Sequence, residues 1–164
     1  MALILDIAAT YRSPRAVIRR LLASGPREDR ALVYLILACG MIFVAQWPRL
    51  QREAYFDPSI PLDARIGAAL LAWVFVAPLV LYAIAALAHL IARILGGKGT
   101  GYGARLALFW SLLVAAPVWL LHGLAAAFIG PGVQLDLVGG LALSVFFLCW
   151  GMAMYEAEST DLRL

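Results

Sequence analysis

Charge is scarce in this chain. Of its 164 residues, 14% are Asp, Glu, Lys or Arg and 64% are hydrophobic, against about 25% and about 45–50% in ordinary soluble domains. That shortfall excludes a water-soluble fold, because the surface of such a fold is already about 55–60% apolar and cannot carry more. A mean hydropathy of +0.89 agrees. Cysteine is nearly missing. Cys39 and Cys149 lie in apolar runs with no Cys or His at ligand spacing, which excludes a disulfide framework and a zinc-type site. There is no HExxH motif, no paired carboxylate and no nucleophile–base–acid triad, so no catalytic site and no cofactor are expected. The run Lys98-Gly99-Thr100 fails as a phosphate-binding loop, which needs Lys followed directly by Ser or Thr after a strand. Nucleic acid is not expected as a partner. Internal repeats and low-complexity segments are also missing, and the length fits one domain. The first apolar stretch, Ala2 to Ala9, is short, contains Asp6 and lacks a basic lead-in, so no cleavable leader is expected.

What the chain has is four long apolar runs, about 31–47, 66–92, 106–129 and 135–155. Each is long enough for a bilayer core of about 30 Å, and none has Asp, Glu, Lys or Arg in its middle. The second is overlong and should tilt, kink or protrude. The predicted fold is all-α: a polytopic membrane bundle of about four transmembrane helices (31–155), an N-terminal segment (1–30) and a C-terminal tail (156–164). Pro48 to Arg65 reads as a polar loop with turns at Asp57-Pro58 and Ile60-Pro61. Gly96 to Gly103 reads as a flexible glycine-rich loop, and Gly130-Pro131-Gly132 as a tight turn between antiparallel helices.

In the N-terminal segment, Ser13 and Pro14 mark a helix start. From there Val17, Ile18, Leu21 and Leu22 share one face, with Arg15, Arg19 and Arg20 outside it. Two readings fit: an amphipathic helix lying in the headgroup layer with those arginines on lipid, or an ordinary helix packed on the end of the bundle. Ten basic residues fall on the side of the termini and three (Arg49, Arg52 and Arg65) on the other. This bias predicts both ends in the cytoplasm.

Depth, at about 1.5 Å per residue, screens the remaining candidates. His89 and His122 differ in level by roughly 15–20 Å and cannot share one haem iron. His122 is intramembrane and is expected to bond Ser144 across the hairpin. Pro78 and Pro117 match in depth and should free the carbonyls of Val74 and Leu113, as fixed bends or as a paired hinge. Cys39 and Cys149 come out at similar depth and would be neighbours if the first and fourth spans touch. Ala68, Ala72, Gly140 and Ser144 suit close helix approach.

The loop Gly97-Lys98, then Gly101-Tyr102-Gly103-Ala104-Arg105, the pair Trp110-Ser111 and the mid-helix Pro117 resemble the Yip1 family of integral membrane proteins, as does the Ser13-Pro14 helix before the first span. The resemblance covers roughly residues 10 to 155. It implies a helical membrane fold in a bacterial inner membrane and no catalytic residues. Eukaryotic relatives have five spans and associate with small Rab GTPases; four spans are counted here. The function expected is a membrane scaffold or adaptor that acts through lipid and protein association, as a homo-oligomer or in a larger complex. Two other readings are a small oligomeric transporter or channel lined by Pro78, Pro117 and His122, and an accessory subunit of a larger membrane complex.

Overall fold

The computed structural model describes residues 2–159, and all of their regular structure is helical. Two short helices, α1 (Ala2–Arg12) and α2 (Pro14–Ala23), precede α3 (Glu28–Phe56). The second span is one continuous helix, Leu62–Ile94, made of α4 (Leu62–Leu70), a π-helical turn (Leu71–Val76) and α5 (Ala77–Ile94). α6 (Gly101–Phe128) and α7 (Val133–Ser159) complete the chain. Four helices are long and apolar enough to cross a membrane: Glu28–Phe56, Leu62–Ile94, Gly101–Phe128 and Val133–Ser159. With four spans, both ends of the bundle's chain come to the same side, called here the terminal end.

α6 is the centre of the bundle. It is apolar on every face, as a helix surrounded by others must be, and from Tyr102 to Ala116 only Arg105 escapes full burial. α3 lays a helical stripe against it: Ala31, Tyr34, Leu35, Ala38, Cys39, Ile42 and Ala45 are all buried. α7 packs on another side as the antiparallel half of a hairpin. α3 and α7 thus pack on α6 rather than chiefly on each other, and Cys39 and Cys149 are both buried free thiols. The second span is peripheral. In its most apolar 18-residue stretch 6% of positions are buried, against 67% in α6.

Several boundaries differ from the sequence reading. The first span does not stop at Trp47. α3 runs through Pro48 to Phe56, because proline is tolerated within membrane helices where neighbouring structure compensates for the lost N–H. The loop to the second span therefore shrinks to residues 57–61, where Asp57 accepts hydrogen bonds from the Ser59 amide (3.1 Å) and hydroxyl (2.5 Å). Those donors, with Arg65, hold the Asp57 carboxyl below the usual carboxylate range. The second span starts at Leu62 rather than 66. Its π turn lies just before Pro78, which occupies the first turn of α5, so the missing N–H is absorbed by a local change of helix type. α6 opens at Gly101, with the Thr100 side chain accepting from the Gly103 amide at 3.2 Å as an N-cap. α7 extends to Ser159, so residues 156–159 are helix and not tail. The rest of the expected tail, 160–164, lies outside the described residues, as does Met1.

The largest difference is at the N-terminus. The helix expected from Ser13-Pro14 forms as α2, but it is not the only helix before the first span. α1 is a second helix, and it leans into the bundle. Thr10 is buried and accepts a hydrogen bond from Trp110 Nε1 at 3.1 Å. The Tyr11 hydroxyl donates to the Val114 carbonyl at 2.5 Å. Val114 is thirteen residues past the start of α6, roughly 20 Å along its axis. α2 then docks on α7 with Val17, Ile18, Leu21 and Leu22 all buried. The apolar stripe is therefore taken by the bundle, the second of the two readings. Ser13 occupies the cap position but its side chain makes no capping bond; its backbone closes α1 and opens α2 (Ser13 N to Ala9 O, 2.8 Å; Val17 N to Ser13 O, 3.3 Å).

Candidate functional site

The densest polar construction lies at the terminal end, where the glycine-rich loop meets the last turn of α7. α5 ends in a left-handed glycine, Gly96 (φ +91°), with Gly97 N–H bonded to Ala92 O at 2.8 Å and Gly96 N–H to Arg93 O at 3.1 Å. This is the Schellman closure that satisfies the last carbonyls of a helix. The chain then runs along α7. Lys98 N–H donates to Glu158 O at 3.0 Å, and Gly99 N–H to Glu158 Oε2 at 3.0 Å. The other carboxylate oxygen, Oε1, lies 2.8 Å from His89 Nδ1.

Steric closeness explains the glycines. A Cβ on Gly97 would lie 2.6 Å from Glu158 Oε2 and 2.9 Å from Ala92 O. A Cβ on Gly99 would collide with the Ala157 carbonyl. The loop that reads as flexible is thus a fitted strap. Gly101 differs, because a Cβ there meets nothing nearer than Arg105 Nη1 at 3.5 Å.

The last turn of α7 anchors two separate parts of the chain, α2 and the strap. Tyr155 lies under the Arg15 guanidinium at 4.9 Å. Glu156, 5% exposed, pairs with Arg19 Nε at 2.7 Å. Ala157 and Glu158 hold the strap. Sequence reasoning placed Glu156 and Glu158 in or beside a polar tail and missed both. A signal was available: two acidic residues at a helix C-terminus oppose the macrodipole, and such a placement calls for compensating donors.

The expected site residues fall as follows. Arg15, Arg19 and Arg20 find protein partners in Tyr155, Glu156 and Asp6. Gly97, Lys98, Gly101, Tyr102 and Arg105 gather at the terminal end, with Arg105 paired to Glu28 of α3. The Tyr102 hydroxyl is buried and finds no hydrogen-bond partner among the described residues. Ser111 is buried and donates to its own helix at Ala107 O, 2.7 Å. At Pro117 the carbonyl reached by a side chain is that of Val114, next to the expected Leu113.

The His122–Ser144 bond does not form. Ser144 faces outward and donates to Gly140 O at 2.7 Å. His122 lies against Gly139, within 3.3 Å of where its Cβ would be, with Trp119 edge-on at 5.4 Å. The α6–α7 register is centred on Gly130-Pro131, which puts Ser144 opposite Pro117 and about five residues from the level of His122. His89 and His122 lie at opposite ends of the bundle. Among the described residues no group of three His, Cys, Asp or Glu is placed to hold a metal ion.

Within the membrane, the second span, α6 and α7 enclose a groove of about 390 Å³ lined by Trp73, Leu81, Leu112, Trp119, Phe146 and Trp150 among other apolar side chains. Pro78 and His122 are not part of its lining.

The strap is also open to test. Glu158→Ala removes one acceptor from a partly buried amide, a change of about 1–3 kcal/mol. Hydrogen exchange at Gly99 is expected to accelerate while Lys98, bonded to a backbone carbonyl, stays protected. Unchanged exchange at Gly99 would contradict the geometry.

No family model, curated protein or solved structure matches this chain.

Proposed function

We propose that the chain is a non-catalytic scaffold of the Yip1 kind in the bacterial inner membrane, with both ends in the cytoplasm, and that it works by lateral association. The observation that carries this reading is the second span. It crosses the membrane with almost no burial of its own, so most of its surface is free for a neighbour. In lipid there is no hydrophobic force between helices, and association depends on close packing of small residues. Ala64, Ala68 and Ala72, spaced one helical turn apart, are all exposed. Gly140 and Ser144 on α7 are exposed too. The small residues expected to knit the bundle together face away from it.

Arg19 and Arg20 keep 69% and 61% of their side chains exposed beside their protein partners. With Arg15 they place guanidinium groups at the terminal end, where basic side chains are drawn to an anionic leaflet. The wholly apolar groove and the filled α6 core favour association over ion conduction. The accessory-subunit reading rests on the same exposed span and differs only in the partner.

An Ala68→Cys variant tests this directly, because Cys39 and Cys149 are buried. Oxidation in intact membranes is expected to give a disulfide-linked dimer, or mild-detergent purification a partner at fixed stoichiometry. A chain that is monomeric in mild detergent and does not cross-link from Ala68→Cys would overturn the proposal.

A further inference from the structure

Between Arg30 and Arg93 the chain has three basic residues, Arg49, Arg52 and Arg65, and between Arg105 and Arg163 it has none. All the positive charge at the end of the bundle away from the termini therefore comes from those three. The structure brings all of it to one pocket of about 460 Å³, formed where α3 ends, the second span begins and α6 turns into α7. Two carboxylates, Glu53 and Asp57, share the pocket. Glu53 lies 3.1 Å from Arg49 and 3.5 Å from Arg65, and Asp57 lies 3.3 Å from Arg65. Arg52 has no carboxylate among the described residues. It donates to Ala127 O at 2.8 Å, caps the Phe56 ring at 5.2 Å and lies against Gly130. Within the pocket lining, three guanidiniums against two carboxylates leave a local positive excess carried by Arg52, while Asp63 and Asp136 lie at the same end outside the lining.

The depth of this charge identifies its partner. Arg49 lies eighteen residues past Ala31, roughly 27 Å along α3, where a hydrocarbon layer of about 30 Å gives way to headgroups. The rest of the pocket wall, Phe56, Ala126, Pro131 and Leu135, is apolar. Guanidinium donors with a local excess of positive charge, held at the level where hydrocarbon meets headgroups, have the complement of a single lipid phosphate. We propose that this pocket binds the phosphodiester of an anionic phospholipid, with Arg52 and Arg49 as donors. Guanidinium suits this role through its fork of donors and weak hydration. A zwitterionic choline lipid would bring its cation against Arg65 and Arg52.

The test uses the full chain in mild detergent, titrated with phosphatidylglycerol or phosphatidylcholine and read by native mass spectrometry. Wild type is expected to retain one phosphatidylglycerol with a preference of roughly ten-fold, the order set by one charge-assisted hydrogen bond. Arg52→Gln is expected to abolish that preference. Arg52 also closes the last turn of α6, so Arg49→Gln, altering a half-exposed side chain, is the variant that leaves the fold intact, and it should reduce the preference several-fold. Arg93→Gln, altering an exposed side chain at the terminal end, should leave it unchanged. The proposal is overturned if the preference survives both pocket variants, if Arg93→Gln removes it equally, or if millimolar inorganic phosphate displaces the lipid, which would make this a free-phosphate site.

Discussion

Gly123→Leu is expected to lower the stability of the detergent-solubilised protein by about 3 kcal/mol or more, the upper part of the overpacking range. At about 2–4 °C per kcal/mol for a chain of this size, that is a fall of roughly 10 °C in Tm. The reason is a backbone contact. A Cβ on Gly123 would be driven into the Ala45 carbonyl, with the Ala45 carbonyl carbon at 2.8 Å and Cα at 3.3 Å. A side chain could rotate away, but a helix backbone cannot. α3 and α6 must part, and the contact between them includes the largest buried side chains of the molecule. Gly140→Leu is the matched control. Nothing lies within 4 Å of its Cβ position, and its effect should stay within about 0.5 kcal/mol. Equal melting of the two variants would contradict the α3–α6 approach described above.

Trp110→Ala is expected to cost about 3–5 kcal/mol, the range for deleting a buried large aromatic. Trp110 is fully buried, packs edge-on against Tyr34 at 4.9 Å and donates to Thr10. The substitution opens a cavity beside α6 and also leaves the Thr10 hydroxyl without its donor, although Thr10 keeps its own bond to Asp6 O at 2.7 Å. α1 therefore loses one of its two side-chain hydrogen bonds to α6. The effect is local as well as global: a cysteine placed at Ala9 should label with a membrane-permeant thiol reagent faster in the Trp110→Ala background. Trp110→Phe, which keeps most of the volume and removes the donor, should show the faster labelling with a smaller loss of stability. Labelling unchanged in both backgrounds would mean that Trp110 does not hold α1.

The four spans were legible because the requirement for a long uncharged run is severe and leaves few alternatives. Their ends were less so. Pro48 was read as a stop, which holds in water, where a freed carbonyl gains solvent; within a membrane protein the helix continues. α1 was invisible because Ala2 to Ala9 is too short to span and carries Asp6; its stability comes from Arg20, Trp110 and Val114, none of them near in sequence. The His122–Ser144 pairing failed through register. α7 is apolar on nearly every side, so its sequence carries no periodic mark to fix which residue faces α6, and only the position of the turn at Gly130 decides it. At the terminal end the glycines of the strap were visible, but the surface they fit was not, because Glu158 lay in what read as tail. The arginines of α2 were picked out correctly as a group outside the apolar arc, while their partners Glu156 and Tyr155 stand more than 130 residues away.

The reach of Tyr11 to Val114 has a consequence for biogenesis. The two residues are 103 positions apart. At a synthesis rate of about 5–20 residues per second, the ribosome delivers the receptor for α1 roughly 5 to 20 s after α1 itself. During that interval the nascent N-terminus must wait beside the translocon, its hydroxyls and its Asp6–Arg20 pair hydrated. Seating of α1 is therefore a late event, possible only once α6 has been made through Val114.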